Sequence, residues 1–124
     1  MARRNHKDLI VWQKALELAH MVHLATSCFP RHELFGLSSQ VRRSAVSVPS
    51  NIAEGAARAT SPEFIHFLHI ARGSLAELET QIYLAIQSEY IGNAEPLLWQ
   101  IEEVGKLLNA VISGLRRRLA QQQR

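Results

Sequence analysis

Two Glu-x-x-His pairs, Glu17/His20 and Glu63/His66, are the residues in this chain whose types and spacing most suggest chemistry. In some four-helix bundles, two such pairs join one glutamate from each remaining helix to hold a di-metal carboxylate site. Glu54 and either Glu102 or Glu103 are the carboxylates available for the remaining roles. Apolar periodicity argues against that site. His20 stands two residues from both Leu18 and Val22, so on a helix it points about 160–200° away from the apolar seam. His66 bears the same relation to Phe64, and His69 to Phe67 and Ala71. The ligands face outward, and no metal or cofactor is expected at either pair. His20/His23 and His66/His69 are i, i+3 pairs that can scavenge zinc at a surface, which is not a function.

Nucleophilic chemistry has no better support. Ser44, Ser47 and Ser50 have no base nearby in the sequence. A side-chain cap for backbone groups freed by Pro49 suits Ser47 or Ser50 better than catalysis does. The chain has no Gly-rich phosphate loop, nucleophile elbow or His-Glu-x-x-His segment. The expectation is a non-enzyme with no catalytic residues.

Two other sets of residues point to binding. Gln40, Arg43, Ser47, Asn51 and Glu54 recur at steps of three and four, forming a polar stripe about 100° from the apolar face of the same helix. Glu77, Thr80 and Gln81 can meet it from another helix. This stripe suits a subunit interface, with a solvated face and a ligand groove as the competing readings. Basic residues cluster at Arg3, Arg4 and Lys7, at Arg42-Arg43, and at Arg116-Arg117-Arg118. Three consecutive arginines span about 200° of a helix and cannot all face one partner. A fraying last turn can still present them together. No aromatic residue alternates with these basics, so base stacking is not expected. Nucleic-acid contact, RNA or DNA, would go through the phosphate backbone of structured molecules.

Four helices must carry these residues. The first is predicted over Asp8–Ser27, on the seam Val11, Ala15, Leu18, Val22, Ala25 and Phe29, widened by Trp12, Leu16 and Ala19 and capped by Asp8. Pro30 prevents its continuation. The second is predicted over Glu33–Arg58, on Leu34, Leu37, Val41, Ala45, Val48 and Ile52. The stripe keeps its phase across Pro49, which predicts a kinked helix and not two helices. The third starts at Ser61 as N-cap, with Pro62 and Glu63 in its first turn. Its stripe is Phe64, Phe67, Ala71, Leu75, Leu78, Ile82 and Ala85, ending near Tyr90 with Gly92-Asn93 as the closing turn. The fourth is predicted over Ala94–Leu119, on Leu97, Ile101, Val104, Leu108, Val111, Leu115 and Leu119. Gly73-Ser74, Gly105 and Gly114 suggest close helix approach. Short loops imply antiparallel neighbours, hence an all-α, up-down-up-down four-helix bundle. It occupies residues 1–124 as one domain, with a basic arm over 1–7 and a frayed tail over 120–124.

The net charge of +3 is unevenly distributed. Residues 1–60 carry a net +4, residues 61–105 a net −6, and residues 106–124 a net +5. An acidic middle between basic ends can pair within the fold or between subunits as well as with nucleic acid. Apolar residues outside the seams, Leu9, Ile10, Met21 and Leu24 on helix 1 and Ile65, Ile70, Tyr83 and Leu84 on helix 3, favour self-association. Cys28, the only cysteine, excludes an intrachain disulfide and reads as a small apolar filler. No segment approaches the ~20 apolar residues of a membrane span, and the N-terminus lacks a signal peptide's apolar stretch.

Four blocks resemble one known family, the 23S ribosomal RNA intervening-sequence proteins. They are GLSSQVRRSAVSVPSNIAEGAAR over Gly36–Arg58, DLIVWQKALELA over Asp8–Ala19, SPEFIHFLHIARGSLAELETQIYLA over Ser61–Ala85, and Phe29-Pro30. The resemblance implies a bacterial, cytoplasmic four-helix bundle that assembles as a ring-like homo-pentamer. Some members are encoded in inserts within 23S ribosomal RNA genes, and a related bundle is a basic accessory protein for reverse transcriptases. The family has no agreed biochemical activity. An oligomer associated with RNA through its basic patches, or an adaptor binding a protein partner through its ring, are the functions so implied.

Overall fold

The computed structural model describes residues 5–123. Four α-helices account for most of them: α1 (Ile10–Thr26), α2 (Leu37–Ala56), α3 (Ser61–Gln87) and α4 (Glu95–Gln122). Short 3-10 turns over His6–Asp8 and Arg31–Glu33 precede α1 and α2. No strand occurs among the described residues. Each helix packs on its neighbours around a square, α1 on α2, α2 on α3, α3 on α4 and α4 on α1, while the diagonal pairs do not pack. This is the expected four-helix bundle.

Helix ends differ from the predicted ones because side chains cap them in ways that spacing alone does not reveal. Asp8 does not cap α1. It belongs to the preceding 3-10 turn, which Asn5 caps by accepting from the Lys7 N–H. Glu33 is not the first residue of α2 but its anchor: one carboxylate oxygen accepts from Leu37 N–H at 3.2 Å and the other from the Tyr90 hydroxyl at 2.9 Å. Those two bonds hold the Glu33 carboxyl below its usual pKa. Thr60, not Ser61, caps α3. Its hydroxyl accepts from Glu63 N–H at 3.3 Å and donates to the Glu63 carboxylate at 2.9 Å.

α3 ends at Gln87, before Gly92-Asn93. Glu89 takes φ 62°, the left-handed conformation usually given to glycine. Glu89 N–H bonds the Ile86 carbonyl and Tyr90 N–H bonds the Ala85 carbonyl, closing the helix with a Schellman motif. A non-glycine side chain is strained there. Glu89→Gly is therefore expected to raise stability by about 0.5–1 kcal/mol, the relieved strain exceeding the added chain entropy. A higher urea midpoint at unchanged slope is the expected reading, and a lower one would remove the strain argument.

α2 runs unbroken through the buried Pro49 to Ala56. Its buried stripe is Leu37, Val41, Ala45, Val48 and Ile52, as predicted, while Leu34 lies outside the helix and is exposed. α1 keeps Val11, Ala15, Leu18 and Val22 in the core but leaves Leu16 exposed. In α3 the buried residue is Leu68 where the spacing predicts Phe67, and in α4 it is Ile112 where the spacing predicts Val111. Cys28 is exposed, so it fills no core space.

The glycines also differ from expectation. A methyl group at Gly73 or Gly114 would meet nothing within 4 Å, and one at Gly105 would make only ordinary contact with Leu75. The close approach is at Gly55, where an added Cβ would stand 2.7 Å from Phe67 Cβ and 2.9 Å from Phe64 Cδ1. This contact lets α2 and α3 converge at the end where one exits and the other begins.

Candidate functional site

The polar stripe of α2 faces α3. Ser44, buried, donates to the Glu77 carboxylate at 2.6 Å, and the Ser47 and Ser74 hydroxyls are 2.8 Å apart. The Asn51 amide donates to the Ser47 carbonyl at 2.8 Å and to the Ser47 hydroxyl at 2.9 Å. Ser47 thus serves the α2–α3 seam and not the backbone around Pro49, while Ser50 is exposed. Gln81 continues the seam, and its Oε1 is the one buried side-chain polar atom without a hydrogen-bond partner among the described residues. Gln40, Arg43 and Glu54 lie at the exposed edge, with Glu54 paired to Arg58 at 2.8 Å. Seven residues singled out for one interface therefore divide: Ser47, Asn51, Glu77 and Gln81 line the seam, and three face water.

The Glu-x-x-His residues point outward. Glu17, His20, Glu63 and His66 are all exposed. Two open grooves flank the bundle. One, about 940 Å³, lies between α3 and α4, where Leu75, Tyr83, Leu98 and Trp99 form an apolar floor edged by Glu79 and Glu102. Trp99 is 61% exposed. The other, about 590 Å³, lies between α1 and α2 and is lined by Leu16, Ala19, His20, His23 and Val46.

Basic residues gather toward the end where α2 exits and α3 begins. Arg58 lies there, over the Phe67 ring at 4.8 Å and paired with Glu54. Arg116 reaches His69 on α3 at 2.9 Å, which places the last turns of α4 beside the first half of α3. Arg117 and Arg118 follow, both exposed. Lys7 sits on the 3-10 turn before α1, a turn that packs on α2. Arg3 and Arg4 lie outside the described residues. Arg42 is not free for a ligand in the same sense: its Nε donates to the Thr26 hydroxyl at 2.7 Å.

Sequence patterning missed the cluster joining α3 to α4. Arg72 donates to the Asn109 side-chain carbonyl at 3.1 Å, and its other terminal nitrogen lies 2.9 Å from His69 Nδ1. Partial burial, then the charges of Arg72, Arg116 and His66, hold the His69 pKa below the usual imidazole value. The available signal was Arg72 itself, the one basic residue in the acidic stretch 61–105, three positions from a histidine.

A family model, described as 23S rRNA-intervening sequence protein, matches residues 7–110. The chain belongs to that family. Among solved structures it is similar to a crystal structure of a protein with unknown function from the S23 ribosomal protein family of Bacteroides thetaiotaomicron. The two are 32% identical, with a TM-score of 0.77, over 86% of this chain and 98% of that one. Comparison with curated proteins finds no match. Family membership therefore accounts for the bundle, and the family's function is not established. No helix among the described residues is long and apolar enough to cross a membrane.

Proposed function

We propose that this protein is a non-enzymatic, self-associating bundle that engages RNA through backbone phosphates. The observation carrying that reading is Arg116-Arg117-Arg118: three exposed guanidiniums on the last turns of α4, with no carboxylate paired to them among the described residues. Lys7, near the same end, extends the patch, and Arg3 and Arg4 precede it in sequence. The "S23 ribosomal protein family" of the similar crystal structure agrees with an RNA partner. A cytoplasmic location fits such a partner. Against catalysis, the Ser44–Glu77 contact is a serine and a carboxylate without an imidazole to activate the hydroxyl.

The test is a salt titration on structured RNA. Arg116→Ala/Arg117→Ala/Arg118→Ala is expected to lower the slope of log affinity against log salt by about three, one per lost phosphate contact. Equal affinities and slopes would remove the tail from the reading. No binding by either protein at low salt would remove RNA and leave the adaptor reading in front. That second reading rests on the groove around Trp99, a large exposed aromatic residue of the kind that anchors protein partners.

Self-association is proposed through the two grooves. They lie on different sides of the square, α1–α2 and α3–α4, and both expose apolar side chains. A contact between unlike faces of successive copies closes into a ring when its rotation permits, and the pentamer implied by the family resemblance is such a ring. Leu16→Glu/Val46→Glu is expected to convert the oligomer into monomers by light scattering. A wild-type protein that is monomeric at micromolar concentration would defeat this proposal.

A further inference from the structure

We propose that His69, Arg72 and Arg116 form a phosphate-binding site between α3 and α4. Hydrogen-bond capacity motivates it. A neutral imidazole offers one lone pair and one N–H, whereas a guanidinium only donates. Yet a guanidinium nitrogen stands 2.9 Å from each ring nitrogen: Arg72 at Nδ1 and Arg116 at Nε2. Only one of the two can be a hydrogen bond; the other sets N–H against N–H in either tautomer. Protonating the ring makes both contacts donor against donor and adds a third positive charge. The cluster therefore holds more donors than acceptors. None of its members is paired with a carboxylate among the described residues, and the next titratable neighbour is the imidazole of His66.

A phosphate group supplies what is missing. Its oxygens accept from both guanidiniums, and arginine's planar fork matches that geometry. The remaining ring N–H becomes a third donor. Arg72 is held for the task by its bond to the Asn109 side chain, and α3 and α4 are each long, regular helices. The site also explains why one arginine stands in the acidic stretch 61–105: it faces the basic end of α4, not the neighbouring glutamates. Two sources share this chemistry, a phosphodiester in an RNA backbone and a free phosphate monoester. The RNA form rests on the reading given under Proposed function; the phosphate site itself does not.

The experiment has two arms, using full-length wild type, Arg72→Gln, Arg72→Lys, His69→Gln and Arg117→Gln. In the first, inorganic phosphate is titrated against the NMR signals of the His69 ring, with chloride at matched ionic strength as control. His69→Gln serves to assign those signals. Saturable shifts are expected in wild type and in Arg117→Gln. They should be absent in Arg72→Gln and weakened in Arg72→Lys, which keeps the charge but loses the fork. Anion occupancy also stabilises the protonated ring, so phosphate should raise the pH at which His69 titrates. In the second arm, structured RNA replaces phosphate. Arg72→Gln is expected to weaken RNA binding about fivefold and lower the salt slope by about one. Phosphate shifts without an effect of Arg72→Gln on RNA would uphold the site and assign it to a free phosphate. No phosphate shifts, with Arg72→Gln binding RNA as wild type does, would overturn the site even if Arg117→Gln weakens RNA binding and so upholds the proposed function.

Discussion

Phe64→Ala is expected to cost about 3–5 kcal/mol, the range for removing a fully buried aromatic side chain and leaving a cavity. Phe64 is 1% exposed and is the largest fully buried side chain of the core. It lies in the first turn of α3, against the Gly55 turn of α2, where the two helices are closest. A collapsing backbone cannot readily fill that space, because Thr60 and Glu63 fix the start of α3 by reciprocal hydrogen bonds. Urea unfolding followed by helical circular dichroism, at fixed protein concentration because self-association adds to apparent stability, would measure the loss. A change below about 1.5 kcal/mol would mean that the site repacks easily, as a volume-conserving swap would.

Gly55→Ala and Gly73→Ala are expected to differ in sign, although both place alanine in a helix. Helix propensity alone favours each replacement by about 1 kcal/mol. At Gly73 nothing lies within 4 Å of the new methyl, so that gain is retained. At Gly55 the methyl would meet Phe67 Cβ at 2.7 Å, Phe64 Cδ1 at 2.9 Å and the Phe64 carbonyl at 3.2 Å. Two of those three atoms belong to or adjoin the backbone of α3, so the helices must separate. Overpacking of this kind costs about 1–3 kcal/mol net. The same denaturation experiment reads both variants, and a stabilised Gly55→Ala would show that the α2–α3 approach is softer than its distances indicate.

The glycines mark where sequence reading stops. Gly73-Ser74 in mid-helix suggests close approach, and Gly55 only a helix exit. The structure gives the reverse, because what a glycine hydrogen faces is set by the neighbouring helix and not by local spacing. The same cause explains the shift from Phe67 to Leu68 and from Val111 to Ile112 in the buried stripes. Apolar residues at steps of three and four define a broad face. Which edge of it is buried depends on where the adjacent helices sit.

Much was nevertheless legible. The number of helices, their antiparallel order and most of the core follow from the periodicity of Val11 to Val22, Leu37 to Ile52, Ala71 to Ala85, and Leu97 to Leu108. That is because helix repeat and side-chain burial are both properties of one segment. The outward direction of His20 and His66 was legible for the same reason. The polar stripe of α2 was legible as a stripe, but its meeting with Ser74 and Glu77 across the seam was not. Nor was the convergence of His69, Arg72 and Arg116, two of them three residues apart and the third on another helix. Periodicity within a chain segment determined the helices and their apolar faces. The axial register between helices, decided only when their side chains interlock, determined which polar groups meet.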